Sequence, residues 1–100
     1  MSKRERVIKA LRGELPYLRR NFGVKRVALF GSYASGRATK KSDVDLLVEF
    51  RQPIGLAFID MAEHLEKVLG IKADILTPTG ISSMRIKRIA EDIRGSLFYV

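Results

Sequence analysis

A chain of 100 residues, 46% hydrophobic and 30% charged, has the composition of a globular protein and room for a single domain, expected here to span residues 1–100. It has no cysteine, which excludes a disulfide scaffold and any thiolate metal site; no stretch approaches the ~18 apolar residues of a membrane span or the core of a signal peptide, so a cytoplasmic location is expected. The net charge of +8 is unevenly placed, with 12 of the 19 Lys and Arg but only 2 of the 11 acids in residues 1–42, so the N-terminal part attracts polyanions such as a nucleoside triphosphate, RNA or an acidic protein.

In chain order, Val7, Leu11, Leu15, Leu18 and Phe22 recur at three and four, the period of an amphipathic helix from about Lys3 to Phe22. Gly13 and Pro16 predict an interruption, hence two short helices divided near Gly13. Gly23 closes the segment, and Lys25 to Phe30 reads as a strand running into Gly31-Ser32, with Tyr33 to Gly36 long enough for one helical turn. A second strand carries Asp43 and Asp45, with Val44, Leu46, Val48 and Phe50 on its opposite face and Leu47 on the Asp side. Arg51-Gln52-Pro53 is a turn. Leu56, Ile59, Leu65 and Leu69, with Ala57 and Ala62, mark a helix ending at Gly70, in which Met61 and Phe58 are core residues. A strand from Lys72 to Thr77 stops at Pro78, and Thr79-Gly80 opens a last helix through Ile81, Ile86, Ile89 and Ile93. Leu97-Phe98-Tyr99-Val100 is too apolar for a free tail and either packs on the domain or joins a subunit interface, so an oligomer is open. The alternation predicts an α/β (α+β) fold with a small mixed β-sheet flanked by helices.

The chemistry concentrates in residues 29–48, LFGSYASGRATKKSDVDLLV. Residues two apart on a strand share a face, so Asp43 and Asp45 point the same way, and two carboxylates so placed repel each other unless a cation lies between them. Hard oxygen ligands suit Mg²⁺ or Mn²⁺. An isolated Asp-x-Asp more often marks only the solvated face of a strand, but the preceding Gly-Ser turn changes that reading. Gly31 lets backbone N–H groups approach an anion, Ser32 adds a hydroxyl, and Lys40 and Lys41 stand close by to screen a triphosphate. A P-loop has a similar spacing, yet position 37 is Arg rather than Lys and Ala38 has no hydroxyl for a metal. His64, lying between Glu63 and Leu65, has no second ligand at metal spacing and reads as a surface or packing residue. Tyr33 is the one tyrosine near the turn, with ring packing its expected role.

Gly31-Ser32 followed by Ser42-Asp43-Val44-Asp45 resembles the signature of the minimal nucleotidyltransferases of the DNA polymerase β superfamily, and the resemblance extends over nearly the whole chain. It implies the nucleotidyltransferase fold and a third acid on a later strand, which here is Asp74 in Ile71-Lys72-Ala73-Asp74-Ile75-Leu76. By that resemblance Asp43, Asp45 and Asp74 are the catalytic and metal-holding residues for two Mg²⁺ ions, with Asp74 facing the acceptor. Gly31, Ser32, Arg37 and Ser42 bind the nucleotide. The family often has Ala-Arg-Gly after Gly-Ser-x; this chain has Ala34-Ser35-Gly36, with Arg only at position 37.

The resemblance further implies an Mg-dependent transfer of AMP from ATP to a hydroxyl, of tyrosine in the expected case, on a cognate helical HEPN toxin, for which this chain acts as the antitoxin. With 100 residues taken up by one domain, the acceptor is expected to be presented by a second protein rather than bound by an added domain. Two other classes remain open: a non-catalytic antitoxin that neutralises by binding alone, and a basic RNA-binding module. Aromatic residues are not interleaved with the basic ones, so RNA contact is a secondary expectation.

Overall fold

The computed structural model describes residues 2–78 and 97–100. The helix expected through Ile81, Ile86, Ile89 and Ile93 lies outside these residues. Helix α1 (Lys3–Phe22) is one continuous element, not the two short helices that Gly13 and Pro16 predict. The Ser2 Oγ accepts from the Glu5 N–H at 3.1 Å to cap its start, and Gly23, at φ 65°, caps its end by donating to the Leu18 carbonyl. Burial explains why the helix survives its two breakers. Val7, Ile8, Leu11, Leu15 and Leu18 are all buried, each worth about 1.5–3 kcal/mol. Gly13 and Pro16 both lie on the exposed side, where they cost about 1 and 3 kcal/mol.

The sheet is mixed and four-stranded, in the order β3-β2-β1-β4. Strand β1 (Val24–Phe30) pairs antiparallel with β2 (Val44–Phe50) and with the short C-terminal β4 (Phe98–Tyr99), whereas β3 (Ala73–Leu76) runs parallel to β2. The parallel pair requires a crossover, supplied by helix α3 (Ala57–Leu69). One sheet face carries Val24, Val27, Leu29, Val44, Leu46 and Val48 into a core shared with α1 and α3. On the other face Ala28, Phe30 and Leu47 form a smaller cluster, with Leu76 and Leu97 against it.

Two expectations shift. The sequence spacing puts Leu56 and Ile59 on the apolar stripe of α3, but they are 84% and 55% exposed. Leu56 precedes the helical turns, and at 100° per residue Ile59 lies nearly opposite Met61. Met61 and Leu65 are the buried residues, and Phe58 and Leu69 pack against the same cluster. The C-terminus packs on the domain: Phe98 pairs with Leu29 and Tyr99 with Ala28, and the Val100 N–H donates to the Val27 carbonyl at 3.0 Å. His64 is a packing residue, bonded to Glu14 at 2.9 Å and stacked on Tyr17 with ring centroids 4.5 Å apart.

Candidate functional site

The site forms where β1 ends beside β2 and β3. Phe30, the last residue of β1, stands opposite Asp45, and the chain then turns at once into a five-residue helix, α2 (Gly31–Ser35). Gly31 has φ 71°, a left-handed conformation that glycine adopts without strain. It also has no room for a side chain: a Cβ built there would overlap the Asp45 Oδ2 and lie 3.0 Å from its Cγ. The carboxylate of Asp45 therefore rests directly against the Gly31 backbone. Tyr33, 2% exposed, anchors the turn from inside, consistent with ring packing. Gly36, at φ 78°, ends α2, and the Arg37 N–H donates to the Ser32 carbonyl at 2.9 Å. The Ser32 hydroxyl, one residue beyond Gly31, makes no hydrogen bond among the described residues.

On its other side Asp45 is in parallel register with Asp74 of β3, a pairing that no local sequence pattern announces. Asp43 falls just before β2 rather than within it and is exposed, so its direction is not fixed by the alternation of the strand. Burial pushes the Asp45 carboxyl above its ordinary range, and the negative charges of Asp74 and then Asp43 push it further the same way. None of the three carboxylates has an ion pair or hydrogen bond among the described residues. Nor does any group of three acid or histidine side chains there come close enough to enclose a metal ion. The donor chemistry nonetheless fits a hard divalent cation: carboxylate oxygens only, mutually repelling, with no internal counter-charge.

The remaining candidates are placed differently. The Ser42 Oγ is occupied in shaping the turn before β2, where it accepts from the Thr39 N–H at 2.9 Å while the Ser42 N–H donates to the Thr39 carbonyl at 3.1 Å. The Thr-x-x-Ser spacing could have signalled that turn. Arg37, Lys40 and Lys41 are exposed around it. A cavity of about 580 Å³ lies away from the acids, at the far end of the sheet, lined by Lys25, Phe50, Arg51, Pro53 and Phe58. Among the described residues no helix is long and apolar enough to cross a membrane.

Comparison with known proteins identifies the family and the fold. Residues 11–95 match the nucleotidyltransferase domain family. A Methanocaldococcus jannaschii protein, provisionally named a protein adenylyltransferase, is 39% identical over 93 residues, 90% of each chain. Protein adenylyltransferase MntA of Thermococcus cleftensis is 39% identical over 77 residues, 76% of this chain and 78% of that one. A solved structure, described provisionally as a minimal nucleotidyltransferase, is similar with a TM-score of 0.72 and 29% identity over 98% of this chain and 95% of the other. A toxin-antitoxin structure with AMP-PNP shares the fold, with a TM-score of 0.62 and 22% identity over 96% and 70% of the two chains.

Proposed function

The chain belongs to the nucleotidyltransferase domain family, and from that premise we propose that it is a protein adenylyltransferase that moves AMP from ATP onto a tyrosine hydroxyl of a HEPN toxin, in the cytoplasm, as that toxin's antitoxin. The observation that carries the reading is the Asp45 carboxylate, unpaired, resting on the Gly31 backbone and in register with Asp74. The names of the relatives support AMP transfer to a protein, and the fold neighbours solved as toxin-antitoxin complexes support the kind of partner.

In this reading the Gly31 backbone and the Ser32 hydroxyl hold the β and γ phosphates, with Arg37, Lys40 and Lys41 supplying positive charge at the rim. Ser42 acts on the nucleotide through the turn it closes. Asp43, Asp45 and Asp74 would hold Mg²⁺, whose contribution when bound is to neutralise charge on the entering and leaving phosphate oxygens. The acceptor oxygen forms its bond to the α phosphorus, the bond from that phosphorus to the oxygen bridging to the β phosphate breaks, and pyrophosphate leaves. Asp74, exposed at the start of β3, takes the acceptor's proton. Positioning and charge neutralisation are most of what such a transfer asks of a protein.

Co-expression with the cognate toxin tests the proposal. Wild type should restore growth and leave the toxin heavier by whole AMP units, mapped to tyrosine by fragmentation; an Asp43→Asn/Asp45→Asn chain should do neither. Full neutralisation by the double variant would mean that binding alone silences the toxin.

A further inference from the structure

Helix α2 has five residues, too few to hold an orientation by its own hydrogen bonds. Tyr33 fixes it from the core side. On the outer side its carbonyls are taken one by one: that of Ser32 by the Arg37 N–H and the Ser35 hydroxyl, and that of Ala34 by Arg4, whose Nε donates at 3.1 Å across 30 residues of sequence. The same guanidinium lies over the Phe98 ring, 4.6 Å from its centroid. Phe98 is itself paired with Leu29, two residues before Gly31 on β1. One side chain thus joins the start of α1, the C-terminal strand and the end of α2.

We propose that Arg4 is a positioning residue for the Gly31–Ser32 turn, holding it against Asp45 in the geometry that nucleotide binding needs. The proposal rests on the nucleotidyl-transfer reading. Its physical basis is the lack of slack at Gly31, where the Asp45 carboxylate already fills the space a methyl group would need. A tilt of α2 moves the Gly31 backbone and the Ser32 hydroxyl relative to that carboxylate, and misplacements of about 1 Å can cost on the order of 10²-fold in rate. Arginine suits the task because its planar fork can donate in its own plane to a carbonyl while its face stacks on a ring; a lysine ammonium does one or the other. Nothing local in the sequence marks Arg4, which reads as one more charge on a basic helix.

The test compares wild type with Arg4→Met, Arg4→Lys and Phe98→Leu. Two quantities are read: hydrogen exchange of the amides of residues 31–37 without nucleotide, and kcat and KM for ATP in AMP transfer. In Arg4→Met the exchange of residues 31–37 should become about tenfold faster, as loss of a hydrogen bond from a charged donor entails, with α1 and α3 still protected. Its KM for ATP should rise about tenfold and kcat/KM fall about 10- to 100-fold, with Arg4→Lys intermediate and Phe98→Leu milder in the same direction. Wild-type exchange at residues 31–37 in Arg4→Met would overturn the proposal. So would acceleration spread evenly through α1 and the sheet, which would mean a purely structural role. If wild type transfers no AMP at all, the functional reading falls, while the exchange data still decide whether Arg4 holds the turn.

Discussion

Asp45 and Glu49 lie four residues apart on the same face of β2, and the chain treats them in opposite ways. Glu49 is answered by Arg26 of the neighbouring strand, with Nη2 donating at 3.0 Å and Nε 2.6 Å from the second carboxylate oxygen, and the Arg26 guanidinium is stacked 4.9 Å from the Tyr99 ring. That carboxylate holds the Arg26 pKa above its ordinary value. Asp45, more sheltered than an ordinary surface acid, receives no cation and instead has Asp74 beside it. One end of this face is charge-compensated by the fold, and the other waits for charge from outside. An acid kept partly buried and unpaired works against the folded state, so its persistence points to function.

Asp45→Asn should break the comparison most sharply. AMP transfer should fall by about 10³-fold or more, since several kcal/mol of charge stabilisation are lost with a metal-holding carboxylate. The same variant should be more stable than wild type without metal, by about 0.2–1 kcal/mol, the size of a cross-strand like-charge contact. A transfer assay reads the first effect and thermal unfolding without Mg²⁺ the second, and added Mg²⁺ should raise the melting temperature of wild type only.

Gly31→Ala comes next. The left-handed φ costs a non-glycine residue about 1–2 kcal/mol, and the new methyl group must displace the Asp45 carboxylate. We expect a lower melting temperature and transfer reduced by about 10²-fold, the scale for a reacting group moved by about 1 Å. Activity near wild type would show that Asp45 does not need to rest on the turn.

The pH dependence sharpens the contrast further. Because the folded-state pKa of Asp45 is raised, the folded chain takes up its proton before the unfolded chain does as pH falls. The contribution of this residue to metal-free stability is therefore greatest below the unfolded pKa and is lost as pH rises through the folded one. Asp45→Asn should flatten that part of a stability-versus-pH profile. Most modest of all, Glu49→Gln should leave AMP transfer unchanged and lower the melting temperature slightly, more at low ionic strength than at high.

What was legible beforehand follows the range of the interaction. Strand alternation placed Val44, Leu46 and Val48 in the core and Leu47 on the opposite face, and Gly23 and Gly70 marked helix ends, because these signals are local. The continuity of α1 through Pro16 was not legible, because tertiary burial of Val7 to Leu18 overrides propensity there. In the same way, the stripe on α3 could not be drawn until the helix start was fixed after Leu56. At the site, Gly31 meets Asp45 where β1 ends opposite β2, and Asp74 lies beside Asp45 by strand register, a long-range pairing. The role of Arg4 has no local signature, because its partners, Ala34 and Phe98, are distant in sequence. The turn that Ser42 shapes by accepting from the Thr39 N–H was open to reading from the Thr-x-x-Ser spacing, a local signal.

The most direct test of the account supplies ATP labelled on its α phosphate, with Mg²⁺, to wild type and Asp45→Asn in the presence of lysate proteins from the source cell. The account predicts a labelled protein band with wild type alone, abolished by removing Mg²⁺, with the label released as AMP on hydrolysis. Equal labelling by Asp45→Asn, or no labelling by a wild-type chain shown to bind Mg²⁺ and ATP, would contradict it.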